Sequence, residues 1–180
     1  SKVIFSLRNL KNSVSDQVLK TVYFARFYSL MTYGILLWGH LPAADKIFKL
    51  QKKAVRILVA DKKICVNFSC RGYFRKFDLL TLTCSYILSA VTFIRVHPEL
   101  MCSSQDVHSY KTRQCANLRV PKCKTDYYAK GCLCTALRTY NCLPLYLRQI
   151  TNVRQFKKEV KKFLVKHEFY QLNDFMFYVS

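Results

Sequence analysis

At 180 residues, 51% apolar and 14% aromatic, the chain is long and hydrophobic enough to bury a core, which excludes a disordered tail. A formal net charge of +20, spread along the whole length, points to an anionic partner: nucleic acid, an acidic membrane surface or an acidic protein. Nine cysteines are an odd count at irregular spacing, which argues against a disulfide scaffold and for reduced thiols in a cytoplasmic or nuclear protein.

The opening SKVIFSLRNL lacks a long apolar core and a small-residue cleavage site, so secretion is not expected, and the start at Ser1 suggests a fragment. Residues 1–12 pattern as a helix with Val3, Ile4, Leu7 and Leu10 on one side. Ser13 and Asp16 have the spacing of a capping box, and Ser15 is a second candidate N-cap. The next helix is expected from about Ser15 to Trp38, with Val18, Val22, Ala25, Ser29 and Tyr33 in one row and Leu19, Phe27, Leu30 and Leu37 widening it. Gly34 inside it is expected to permit close helix packing. Gly39 is expected to supply the backbone freedom of a helix C-terminus, with Pro42 just beyond.

From Asp45 the pattern is helical again. Ile47, Leu50, Ala54, Ile57 and Leu58 fall on one side, and Lys46, Lys49, Lys52, Lys53 and Arg56 on the other. A surface helix usually mixes its charges, so a face of one sign suits a polyanion, or simply keeps the protein in solution. Residues 61–77 are irregular. Cys65 and Cys70 resemble half of a metal site without a second half, and idle thiols are the simpler reading. Arg71, Arg75 and Lys76 alternate with Tyr73, Phe74 and Phe77, which suits base stacking or a short amphipathic helix. A core helix is expected over about Leu80 to His97, bounded by Pro98. The charge-free stretches 27–44 and 79–94 are expected to be buried helices and not membrane spans, which need about 20 apolar residues.

Residues 99–125 are expected to be loop. His97, just before this loop, and Cys102, His108 and Cys115 within it stand at spacings that match no standard zinc site, so no metal is assigned. Thr112 and Arg113 suit a phosphate, or a loop tied down by hydrogen bonds. Residues 125–142 mix rings and β-favouring types around Gly131, and a short hairpin is one option. The last long helix starts at Thr151 or Asn152. Val153, Phe156, Val160, Phe163, Leu164 and His167 form one face. Arg154, Lys157, Lys158, Lys161 and Lys162 form the other, broken only by Glu159. The aromatic tail after it is expected to pack back. The fold class expected is mainly α: a helical bundle over 1–98, then a loop-rich part, 99–180, ending in a basic amphipathic helix.

Several strings in this order carry a resemblance. Tyr33, Gly34, Trp38 and Gly39 stand as YG-x3-WG. LQKKAVR follows, with Gln51, Lys52 and Arg56, then CRGYF, then HSYKTR from His108 to Arg113 with Thr112, then YNCLP with Asn141 and Pro144. Together they resemble the thumb and post-thumb region of jockey/LINE-type non-LTR retrotransposon reverse transcriptases, and the resemblance covers most of the chain. It implies a non-catalytic piece of an RNA-directed DNA polymerase that holds RNA and DNA template–primer against a palm domain in the parent chain. Polymerases use clustered aspartates to hold two metal ions, Mg²⁺ in such a parent. The aspartates here are isolated, so no cofactor and no catalysis are expected of this stretch. Phosphate neutralisation is expected first from Lys46, Lys49, Lys53 and Arg56, second from Lys157, Lys158, Lys161 and Lys162. A cytoplasmic and nuclear ribonucleoprotein is the expected setting. The rival readings are a protein-interaction module or inactive remnant binding an acidic partner, and a self-sufficient enzyme.

Overall fold

The computed structural model describes residues 2–59, 69–102 and 117–179. The chain is mainly helical, as expected, and no β-strand occurs among the described residues. In order come α1 (Lys2–Lys11), α2 (Asp16–Val22), a π-helical turn (Tyr23–Tyr28), α3 (Ser29–Thr32), α4 (Ile35–Trp38) and α5 (Ala44–Val59). Then follow α6 (Tyr73–Lys76), α7 (Leu82–Val96), a 3₁₀ turn (Pro98–Leu100), α8 (Asp126–Ala129), α9 (Cys132–Asn141), α10 (Leu145–Arg148), α11 (Val153–His167) and α12 (Leu172–Val179).

Helix α7 is the axis of the molecule. Leu82, Cys84, Tyr86, Ile87, Ala90, Val91 and Ile94 are all buried, so the helix is apolar nearly all round, as a helix covered on every side must be. Helices α3, α4, α5, α9 and α11 pack around it. Its N-cap Thr81 accepts from the Cys84 N–H at 3.1 Å and donates to the Phe169 carbonyl at 2.7 Å, which joins the cap to the C-terminal tail. One continuous core draws on residues before and after Pro98, from Leu7 and Leu19 to Phe156, Leu164 and Phe175.

Local signals placed several termini well. Ser15 caps α2 by accepting from Val18 N, so the structure chooses it over Ser13. Asn152 caps α11, accepting from Arg154 N and Gln155 N at 2.9 and 3.2 Å. The hairpin considered at 125–142 is not formed: α8 and α9 occupy that stretch. Ala136, Leu137 and Tyr140 bury there at helical spacing against α7, and that tertiary face outweighs the β-favouring composition.

The expected helix 15–38 is a composite. Its buried row is Leu19, Tyr23, Phe27, Met31 and Ile35, while Val18 and Tyr33 of the expected row are exposed. A row spaced by four drifts about 40° per step round an α-helix. The underwound π turn at Tyr23–Tyr28 reduces that drift, so successive side chains keep facing the core.

The two glycines exchange their expected roles. Gly34 sits at φ +60°, breaks the helix between α3 and α4, and a Cβ there would touch nothing. It is therefore needed for its left-handed backbone and not for close packing. Gly39 has ordinary helical φ and ψ, but a Cβ there would lie 2.7 Å from both the Ile35 carbonyl oxygen and the Tyr86 ring. The close approach of α4 to α7 is what excludes a side chain at that position.

Candidate nucleic-acid interface

Helix α5 is anchored from below by a polar side chain of the LQKKAVR string. Gln51 is fully buried. Its amide nitrogen donates to the Leu80 carbonyl at 2.8 Å and to the Tyr23 hydroxyl at 3.1 Å, and its oxygen accepts from Leu82 N–H at 2.8 Å. One amide thus ties α5 to the π turn and to the entrance of α7, and every polar atom at the junction is satisfied. Burial pushes the Tyr23 phenol well above its usual range, so it stays neutral in this network.

The buried stripe beside Gln51 is Ala44, Phe48, Ala54, Val55 and Leu58. Ile47, Leu50 and Ile57 of the expected apolar face are only half-buried, while Phe48 and Val55, which that face did not include, are buried where the helix packs against α1 and α7. The outward face then carries Lys46, Lys49 and Lys53, all exposed. No ion pair engages any of these three among the described residues. Lys52 departs from the expected row: it is half-buried, with its ammonium 4.8 Å from the Phe48 ring centre and 5.8 Å from that of Tyr170. Arg56 is half-buried on the side facing Cys70. Burial raises the Cys70 thiol, and the Arg56 and Lys52 charges oppose that rise.

Helix α11 has a similar sequence pattern and a different electrostatic setting. Phe156, Val160 and Leu164 face inward, and Lys157, Lys158 and Lys162 are exposed. Lys162 pairs with Glu159 at 2.7 Å, and Lys161 with Asp78 at 3.1 Å. Of the four lysines expected to meet phosphate here, Lys157, Lys158, Lys161 and Lys162, two are therefore already matched to carboxylates. Asp78 comes from the turn after α6, held at φ +53°, and nothing local in the sequence announces that pairing.

The motif residues that the structure describes are structural fasteners. Trp38 donates its indole N–H to the Tyr33 carbonyl at 3.1 Å, closing a loop over Gly34. Asn141 clamps Leu118 like a second backbone, accepting from its N–H and donating to its carbonyl, each at 2.8 Å. Pro144 opens α10 with its fixed φ, following the buried Leu143. His108, Thr112 and Arg113 lie outside the described residues, as do Cys65 and Cys115.

A carboxylate that the sequence reading passed over completes the frame. Glu168 is buried and left-handed at φ +50°, where it ends α11. Its two oxygens accept from the backbone N–H groups of Gly72 at 2.8 Å and Arg75 at 3.0 Å, at the start of α6. Arg75 in turn donates to the Lys166 carbonyl at 2.6 Å. The available signal was a lone acid embedded between the lysines of α11 and the aromatic tail. Such a residue is expensive to bury without partners, so its isolation asks where they are.

No group of three or more His, Cys, Asp or Glu among the described residues is placed to hold a metal ion. No helix among them is long and apolar enough to cross a membrane. Comparison with protein-family models, with curated proteins and with solved structures finds no match.

Proposed function

We propose that this chain is a non-catalytic part of a non-LTR retrotransposon reverse transcriptase that binds the sugar–phosphate backbone of a template–primer duplex. The observation that carries the reading is the outward face of α5: Lys46, Lys49 and Lys53 exposed in one row, without ion pairs among the described residues, on a chain of net charge +20. Such a row neutralises phosphates and releases counterions without reading bases. Catalysis and its Mg²⁺ belong, on this reading, to the palm of the parent chain, and the setting is a ribonucleoprotein shared between cytoplasm and nucleus.

The test is a salt titration of binding to a duplex. The log–log slope falls by about 0.9 for each phosphate contact removed, so Lys49→Ala with Lys53→Ala is expected to flatten it by about 1.8. An unchanged slope rules these residues out as phosphate contacts.

A second reading, a protein-binding module, draws on a separate observation. Leu30, Tyr33 and Leu37 are 68, 84 and 69% exposed along α3 and α4. Exposed apolar ridges of this kind suit a protein neighbour, which in a polymerase would be the palm. A partner retained after nuclease digestion would favour this reading over nucleic-acid binding.

A further inference from the structure

The segment 117–123 runs beside α9, and among the described residues its backbone and amide hydrogen bonds to the rest of the molecule gather at 117–119. At the C-terminal end of α9, Asn141 holds Leu118 through the two hydrogen bonds described above. Towards the N-terminal end, the segment meets the helix through two sulfur atoms: Cys123 Sγ lies 3.6 Å from Cys134 Sγ. The other thiols with described partners meet carbonyl oxygens: Cys70 that of Lys52, Cys84 those of Leu164 and Phe169, Cys132 that of Leu36.

We infer that Cys123 and Cys134 form a reversible disulfide, a modification site that closes the second fastening of segment 117–123 along α9. The sulfurs are in van der Waals contact at 3.6 Å, and bond formation requires the two thiols to turn towards each other and close to about 2.05 Å. The two thiols differ in access. Cys123 is partly exposed, whereas Cys134 is buried in the first turn of α9, with Arg138 one turn on. That difference sets the order of events with a small disulfide such as oxidised glutathione. The Cys123 thiolate attacks one glutathione sulfur, forming a mixed disulfide and releasing one glutathione thiolate. The Cys134 thiolate then attacks the Cys123 sulfur and expels the second glutathione. Two protein thiols are oxidised, one glutathione disulfide is reduced to two thiols, and the protons pass through solvent to the departing thiolates. The ring encloses α8, with its exposed Tyr127 and Tyr128, so oxidation ties down the stretch that presents those rings.

Mass mapping of the full chain after equilibration with oxidised glutathione tests this. Trypsin leaves Cys123 in a peptide ending at Lys124, and Cys134 in residues 131–138, which also hold Cys132. The Cys132→Ser variant therefore makes the assignment unique. The expected result is a linked pair of these peptides, lighter by two hydrogen atoms than their sum, which is lost on adding dithiothreitol and absent in Cys134→Ser. Either of two results overturns the inference: both thiols remain open to alkylation after equilibration with the oxidant in the unsubstituted chain, or Cys123 links instead to another cysteine.

Discussion

Helices α5 and α11 have nearly interchangeable sequence patterns, an apolar stripe opposite a row of lysines, yet the fold treats them differently. On α5, Lys46, Lys49 and Lys53 stand exposed without ion pairs among the described residues, and the helix is held from beneath by the neutral, fully bonded Gln51. On α11, Lys161 and Lys162 are met by Asp78 and Glu159, and the helix ends in Glu168, a carboxylate that caps another element. The two helices share a composition and differ in where the acids were sent. A basic face is available to a polyanion only where the fold has not already supplied the anions.

The comparison breaks most decisively at its anchors. Gln51→Leu would leave the Leu80 carbonyl, the Leu82 N–H and the Tyr23 hydroxyl buried without partners. A loss of about 3 kcal/mol or more in urea unfolding is expected. If the loss is under about 1 kcal/mol, the amide does not tie the junction. The matching change on the other side, Glu168→Ala, strips two backbone N–H groups at the start of α6, and about 2–3 kcal/mol is expected by the same measurement.

The next test concerns binding and not stability. Lys161→Ala with Lys162→Ala is expected to flatten the salt slope by clearly less than the α5 pair, whose expected change is about 1.8. Exposed ion pairs contribute only about 0–1 kcal/mol to stability, so neither double substitution should shift the unfolding midpoint much. Equal slopes from the two pairs would erase the distinction between the helices.

The smallest effect is with pH. His167, the last residue of α11, has its pKa lowered by burial first and then by the Lys166 and Arg75 charges. His40, beside Tyr86, is lowered by burial, partly offset by a hydrogen bond that the ring donates to the Lys130 backbone. Each binds fewer protons folded than unfolded, so stability is full above the unfolded value of about 6.5 and declines as pH falls towards the lower folded values. Thermal midpoints should therefore drop between pH 7 and pH 5, and His167→Phe should shrink the drop. A midpoint that rises on acidification contradicts this.

Much of the frame was legible because its signals are local. Ser15 and Asn152 announce helix starts by side chains that reach their own next turn, and α7 announces itself by an apolar run ending at Pro98. The candidate site was legible in part. Lys46, Lys49 and Lys53 of the α5 row stand exposed as expected, whereas Arg56 is half-buried and Lys52 is drawn inward by Phe48 and Tyr170, Tyr170 from over a hundred residues away. Gly34 and Gly39 were both visible, but a sequence does not say whether a glycine is wanted for its φ or for its missing Cβ. That depended on Tyr86 arriving against Gly39.

By itself, then, the sequence determined a mainly helical chain, the two amphipathic helices and the strongly basic balance, because periodicity and composition act through neighbours three or four residues apart. The tertiary structure decided which lysines are matched, which carboxylate is buried and which thiols touch. Those outcomes depend on groups that meet only when α6, α7, α9 and the tail pack together, since charge pairing and sulfur contact act through space over a few ångströms, whatever the separation along the chain.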